Sequence, residues 1–302
     1  MYKSLLGCTA LLAYAIAGSL HAAEPIKVGV SFQELNNQYF VTMKNALQQQ
    51  AGKDNLQLLF TDAHHDVLKQ NNDIDDLIQQ KIKILLINPT DSVGVESAVK
   101  AAKAAGIVVV AVDAQAKGPV DSFVGSRNED AGKLSCDYLA KQIGGKGDVA
   151  ILDGIPVVPI LERVKGCKAS LAKYPGIKIV SIQNGKQQRD QAMGVTENIL
   201  SANPNLKGLF SVNDVGSMGA LSAIQADDRD VKLVSVDGAP DAVAEIKKSD
   251  SKFIATTAQF PGKMATTALE LALKKLNGQA IPAAVPVDVE LIDRSKAASF
   301  HW

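Results

Sequence analysis

The stretch Ile107-Val108-Val109-Val110-Ala111-Val112-Asp113 is apolar through six residues and then stops on a carboxylate. A strand with one face in water alternates polar and apolar residues. One without alternation belongs in a parallel sheet covered on both faces. Similar runs recur on either side of it, at a spacing of about 25–30 residues. Ile26–Phe32, Leu56–Thr61 and Ile84–Asn88 precede it, and Val149–Gly154, Ile177–Gln183, Gly208–Asn213, Lys232–Asp237 and Phe253–Ala258 follow. Helical patterns lie between them. Val93, Val95, Ala98, Val99, Ala102 and Ala105 form one apolar stripe; Leu134, Tyr138, Leu139 and Ile143 form another, closed by Gly144-Gly145. Strand–helix alternation builds right-handed βαβ units, so the chain is expected to be α/β, with a doubly wound parallel sheet in each half. Val124–Asn128 is the expected first crossing between the two lobes.

Composition agrees with a folded, two-lobed chain. The 302 residues are 46% hydrophobic and 21% charged, with 32 Lys and Arg balancing 32 Asp and Glu. That balance excludes the strongly basic footprint of a nucleic-acid binder. A disordered chain would be poorer in apolar residues and carry more net charge. Three cysteines are too few for a disulfide-built scaffold.

The first 23 residues give a compartment. Lys3, an apolar stretch from Leu5 to Leu20 and the small pair Ala22-Ala23 have the layout of a secretory signal peptide, cut after Ala22 or Ala23. Gly7, Thr9, Gly18 and Ser19 interrupt the stretch and make it a poor membrane span. Cys8 lies near the start of the apolar stretch, before most of it, instead of following it, which argues against lipidation. The expectation is export to a bacterial periplasm.

Polar residues gather where the strands end. Gln33 and Asn36-Asn37 follow the first run, Asn213-Asp214 and Asp237 end two later ones, and Gln259 follows Phe253–Ala258. Tyr39 and Phe40 open the first helix, and Arg163 lies in the helix after Val149–Gly154. In open α/β sheets ligands bind beyond the carboxyl ends of the strands. Asp and Asn bridge hydroxyls, Arg donates a planar fork, and aromatic rings cover the apolar face of a sugar. Two carboxylates, Asp113 and Asp237, with one Arg suit a neutral polyhydroxyl ligand better than an anion. Each Asn or Asp taken singly reads equally well as a helix cap or turn former.

The residues also carry a family resemblance. Ile84-Leu85-Leu86-Ile87-Asn88-Pro89-Thr90-Asp91-Ser92, Ala258-Gln259-Phe260-Pro261 and Asn36-Asn37-Gln38-Tyr39-Phe40 resemble segments of periplasmic ribose-binding proteins. Val212-Asn213-Asp214, Val236-Asp237-Gly238 and Glu162-Arg163-Val164-Lys165-Gly166 extend the likeness over essentially the whole exported chain. The resemblance implies a type I periplasmic binding protein with no cofactor, in which two lobes joined by three crossings close on a sugar and deliver it to an ABC-transporter permease. It places a first lobe at 24–125 plus 259–286 and a second at 126–258 plus 287–302. Carried over by position, the ligand contacts would be Asn37, Tyr39, Phe40, Asp113, Arg163, Asn213, Asp237 and Gln259, with Gln33 and Gln187 as further candidates. The sequence departs from those proteins where Ala114 replaces an Arg, and where Val236 and Gln187 replace aromatic rings. A sugar other than ribose, a cyclitol or an acyclic polyol therefore fits better. Replacing Arg163 is expected to weaken the ligand while changing stability little.

Other readings use fewer residues. A sensor subunit presenting its ligand to a membrane kinase or chemoreceptor would share the fold. A hydrolase would have to rely on His64, yet no Gly-x-Ser-x-Gly elbow is present. His64-His65 has no Cys or further His at a metal-ligand spacing and reads as a polar helix-start loop. No catalytic or metal site is expected, and the protein is expected to be a monomer. Cys136 and Cys167 are free to pair in an oxidising compartment, but sequence leaves bridge and free thiols equally open.

Overall fold

The computed structural model describes residues 24–52 and 55–302; the expected signal peptide lies outside them. The chain begins β1 (Ile26–Phe32), α1 (Gln38–Ala51), β2 (Leu56–Asp62), α2 (Val67–Gln79), β3 (Ile84–Ile87), α3 (Glu96–Ala104), β4 (Val108–Val112) and β5 (Ser122–Ser126). The pattern then restarts with α4 (Asn128–Gln142), β6 (Lys146–Asp153), α5 (Val158–Leu171), β7 (Gly176–Asn184), α6 (Arg189–Ala202), β8 (Leu206–Ser211), α7 (Asp214–Asp227) and β9 (Lys232–Asp237). It ends with α8 (Pro240–Ile246), β10 (Phe253–Ala258), α9 (Pro261–Leu276), β11 (Ala284–Val287), β12 (Glu290–Asp293) and α10 (Arg294–Ala297).

Two six-stranded sheets result, ordered β2-β1-β3-β4-β5-β11 and β7-β6-β8-β9-β10-β12. All pairings are parallel except that of β10 with β12. Each sheet is a doubly wound α/β lobe, and in both the strand order reverses beside its first strand, which creates a ligand crevice at the carboxyl ends. The chain passes between the sheets three times: after β5, after β10 and after β11. Ser126 and Val287, the last residues of β5 and β11, are still paired in the first sheet.

Side-chain alternation along the strands feeds two cores per sheet. In the first, Val28, Val30, Leu86 and Val110 pack with α1 and α9, while Leu85, Ile87, Val109 and Ala111 pack with α2 and α3. Burial of this apolar surface, worth roughly 25 cal/mol per Å², holds helices to both faces. Two expectations fail at the edges. β7 is a sheet edge and most of its residues, Ile179, Val180 and Ile182 among them, are exposed, so its apolar run does not mean burial on both faces. The helix stripes are also displaced: Val93 is 61% exposed and precedes α3, Ala105 caps that helix in the open, and Leu134 is 39% exposed.

The face that α4 does bury is small: Ala131, Gly132, Ser135, Cys136 and Ala140, with Leu139. A side chain at Gly132 would stand 1.9 Å from the Arg163 carbonyl oxygen of α5, and one at Gly166 would stand 2.0 Å from that of Glu129. The two helix backbones therefore touch at paired glycines. One turn further on, the same approach brings Cys136 to Cys167, with Cα atoms 5.0 Å apart, and they form a disulfide. The bridge closes a loop with a sequence separation of 31 residues, for which chain entropy predicts about 3–4 kcal/mol of stabilisation. Replacing both cysteines by Ser is expected to lower the melting temperature by several degrees. Equal melting of this variant and the oxidised protein would show the bridge to be energetically idle.

Candidate ligand-binding site

Two aspartates stand at equivalent places in the two lobes. Asp113 follows β4 and Asp237 ends β9, and their φ angles are 67° and 138°. Both lie in the left-handed region, where a non-glycine residue costs about 1–3 kcal/mol unless its surroundings hold it there. Gln187, with φ 59°, shares the feature.

In the first lobe the holding groups are Tyr39 and Asn88. Asn37 caps α1 by accepting from the Tyr39 N–H at 3.0 Å, which sets the helix start beside the strand ends. From there the Tyr39 hydroxyl donates to Asp113 Oδ1 at 2.8 Å. Asn88 donates to Asp113 Oδ2 at 3.1 Å and to the Val112 carbonyl at 3.2 Å, while its Oδ1 accepts from the Gln33 N–H. Both carboxylate oxygens thus have a donor, yet burial prevails and pushes the Asp113 pKa up to about 6. Phe40 turns into the apolar core against Phe32 and Tyr39.

In the second lobe Arg163 is 4% exposed and is bonded through Nε and Nη1. Its Nε donates to Asn128 Oδ1 at 2.9 Å, and Nη1 donates to the Val212 carbonyl at 2.8 Å and to Asp237 Oδ1 at 3.2 Å. Gln259 Nε2 donates to the same Asp237 oxygen at 2.8 Å, and the Asp214 N–H reaches Oδ2 at 3.2 Å. Arg163 is therefore part of the core, and its loss should cost stability even without ligand, contrary to the expectation from sequence. Burial raises the Asp237 pKa, and the Arg163 guanidinium opposes that rise.

Beneath Asp237 lies Asp214, at the start of α7. Its oxygens accept from the hydroxyls of Ser235 and Thr256 and from the backbone N–H groups of Gly238 and Ala239. It fixes the turn that leaves β9. Burial and then the Asp237 carboxylate push its pKa up to about 8, against the donors from Ser235, Ala239 and Thr256.

The two sets face each other. The Asp237 carboxylate and the Arg163 guanidinium both act on Tyr39, and Arg163 acts on Asp113. Tyr39 with Asp113, and Arg163 with Asp237 and Gln259, are two buried hydrogen-bonded sets. Asn213 and Gln187 sit to its side: Asn213 caps α7 through the Gly216 N–H and reaches the Gln187 carbonyl at 3.5 Å, and Gln187 Oε1 accepts from the Ile155 N–H. Asn37, beyond its cap, contacts Glu34. Gln259 Oε1 is buried with no hydrogen-bond partner among the described residues. An orphaned buried acceptor costs about 1–3 kcal/mol, and a hydroxyl donor would satisfy it.

Three participants escaped the sequence reading of the site. Asn88 was visible as a polar residue ending an apolar run. Asn128 and Trp302 carried no local signal. The Trp302 indole N–H is shared between the Asp237 and Gln259 carbonyls, each at 3.1 Å, and the ring stands edge-on to Tyr39 at 5.7 Å. His64 and His65 stay on the loop before α2, paired with Asp62 and Glu34.

Asp214 offers a direct test of this framework. Asp214→Ala removes the acceptor shared by four buried donors, leaves the Ala239 N–H and the Thr256 hydroxyl with no other, and should cost about 3 kcal/mol or more. Asp214→Asn should cost less, because the Ser235 and Thr256 hydroxyls can rotate to accept while the amide oxygen keeps the backbone donors. Denaturant unfolding of both variants measures the difference; equal losses would contradict the assigned bonds.

Comparison with known proteins gives a consistent result. A ribose import binding protein of Salmonella typhimurium is 35% identical over 293 residues, covering 96% of this chain and 98% of that protein. A periplasmic solute-binding protein of an ABC transporter from Actinobacillus succinogenes, solved with bound D-allose, superposes with a TM-score of 0.87 at 31% identity, over 91% of this chain and 100% of that one. A Caulobacter myo-inositol binding protein, solved with myo-inositol, gives a TM-score of 0.84 at 31% identity, over 90% and 95%. The two strand-end aspartates, in two doubly wound lobes of the same order, are set in a sequence whose residues 28–280 match the periplasmic binding protein domain, and the chain belongs to that family.

Proposed function

We propose that the protein captures a neutral sugar, cyclitol or polyol between its lobes and delivers it to the permease of an ABC importer. On this reading the chain is exported through a cleaved signal peptide and acts as a monomer in the periplasm. The observation that carries the ligand class is the buried group Asp113, Arg163, Asp237 and Gln259 with its unpartnered amide oxygen. Its two carboxylates and one guanidinium repel a further anion, while hydroxyls supply donors to carboxylate and amide oxygens and accept from Arg163 or Tyr39. The relatives named for ribose, D-allose and myo-inositol support the same class.

Contacts divide between the lobes, so a ligand binds best when both sets converge. Binding then shifts the population toward the closed form by the free energy of the contacts that only the closed form makes. The bodies that move are 24–125 with 259–286 and 126–258 with 287–302, turning about the three crossings.

Ribose is not the favoured ligand. Ala114 supplies no cation beside Asp113, and Val236 is packed wholly within the apolar core. A thermal-shift screen over neutral sugars, cyclitols and polyols, followed by calorimetry, is expected to find a ligand at micromolar affinity or better, with ribose at least tenfold weaker, about 1.4 kcal/mol. Binding of anionic or amine compounds alone would refute the reading, and ribose ranking first would refute its finer part.

Arg163 is best probed by a substitution that keeps its charge. Arg163→Lys retains a cation near Asp237 but cannot span Asn128, the Val212 carbonyl and Asp237 with one planar group. Affinity should fall by about tenfold or more, and calorimetry on the folded variant reads it. Affinity within twofold would remove Arg163 from the ligand contacts.

A further inference from the structure

We propose that the segment Phe300–Trp302 is a clasp across the cleft, with the Trp302 indole forming one wall of the ligand site. The inference rests on the sugar-binding reading for its ligand, but its geometry is independent of it. The indole N–H is divided between the carbonyls of Asp237 and Gln259, the two residues that end β9 and follow β10 and whose side chains meet at Asp237 Oδ1. The indole thereby joins the backbone of Asp237 in the second lobe to that of Gln259, where the chain enters the first. Its ring contact, edge-on to Tyr39 at 5.7 Å, is with the first lobe, next to the hydroxyl that serves Asp113. Trp302 alone among the described residues packs against an apolar cluster of each sheet.

The segment is anchored as well as placed. Phe300 stands edge-on to Phe260 at 6.3 Å, at the start of α9. Gly238 makes room for it: a Cβ there would lie 3.2 Å from the Phe300 ring and 2.7 Å from Ala258, at a φ of 84°. Every hydrogen bond of Trp302 is to the turn after β9 and the crossing after β10, whereas its aromatic partner belongs to α1 of the other lobe. Parting of the lobes must break the Tyr39 contact. The clasp therefore favours the closed form and gives the site a flat, polarisable wall that neither Val236 nor Gln187 supplies. Indole is suited to this place, since one edge donates a hydrogen bond while the faces remain apolar.

Trp302 is the single tryptophan of the chain, so its emission reports the clasp without labelling. In the ligand-free protein the emission should lie to the blue of N-acetyltryptophanamide and be quenched less by acrylamide. Emission and quenching equal to the free compound would overturn the proposal, whatever the protein binds. D-allose, D-ribose, myo-inositol and xylitol are then tested by calorimetry. The best binder should lower the quenching of Trp302 further and weaken by about tenfold or more in Trp302→Ala, mainly through faster release. Trp302→Phe, which keeps a ring, and Phe300→Ala, which removes the anchor, should fall between. Affinity of Trp302→Ala within twofold of the parent, or tighter as for a displaced plug, would overturn the proposal. Failure of all four compounds to bind the parent would count against the sugar reading, and the clasp would then stand or fall on the emission result.

Discussion

A carboxylate buried at the end of a parallel strand has to be met by donors, and meeting Asp237 organises most of the second lobe. Its three donors come from three places: Arg163 on α5, Gln259 after β10 and the backbone of Asp214 at the start of α7. Removing one partner of such a buried pair costs about 3–5 kcal/mol, so these elements are not free to drift apart. Arg163 reaches its place because α5 lies backbone to backbone on α4 at Gly132 and Gly166. The Cys136–Cys167 bridge lies on the same helix contact. Helix packing and site geometry are thus one constraint, running from two glycines to a guanidinium to a carboxylate.

The first lobe solves the same problem with neutral groups. Asp113 has a phenol and an amide where Asp237 has a cation, and its pKa is accordingly pushed up to about 6 by burial. The asymmetry has a functional sense. The charged fork sits in one lobe and the aromatic edge in the other, so the complete set exists only where the lobes meet. A ligand held by that set has differential affinity for the closed form, which is what hinge closure requires.

What the sequence by itself determined is the fold class and the position of the polar residues along the strands. Unbroken apolar runs such as Ile84–Ile87 and Val108–Val112 suit strands inside a parallel sheet, and their short length and recurrence between helical patterns announce them. Asp113, Asp237 and Gln259 were legible because a polar residue closing such a run must leave the core. Asn37 and Asn213 were legible as cap or contact, and the hydrogen bonds show the cap in both.

Only the tertiary structure decided which apolar residues are covered, which polar ones meet and whether the two cysteines are bridged. β7 reads like an inner strand, but strand order puts it at an edge, where the same Ile and Val side chains face water. The buried face of α4 is made mostly of Ala, Gly, Ser and Cys, which close helix approach demands and hydrophobic periodicity, apart from Leu139, does not register. Asn128 reaches Arg163 across 35 residues of sequence, and Trp302 reaches Tyr39 across 263, separations over which no local pattern acts. Contacts of that range are set by where packed elements bring the chain back, and packing is a property of the folded whole.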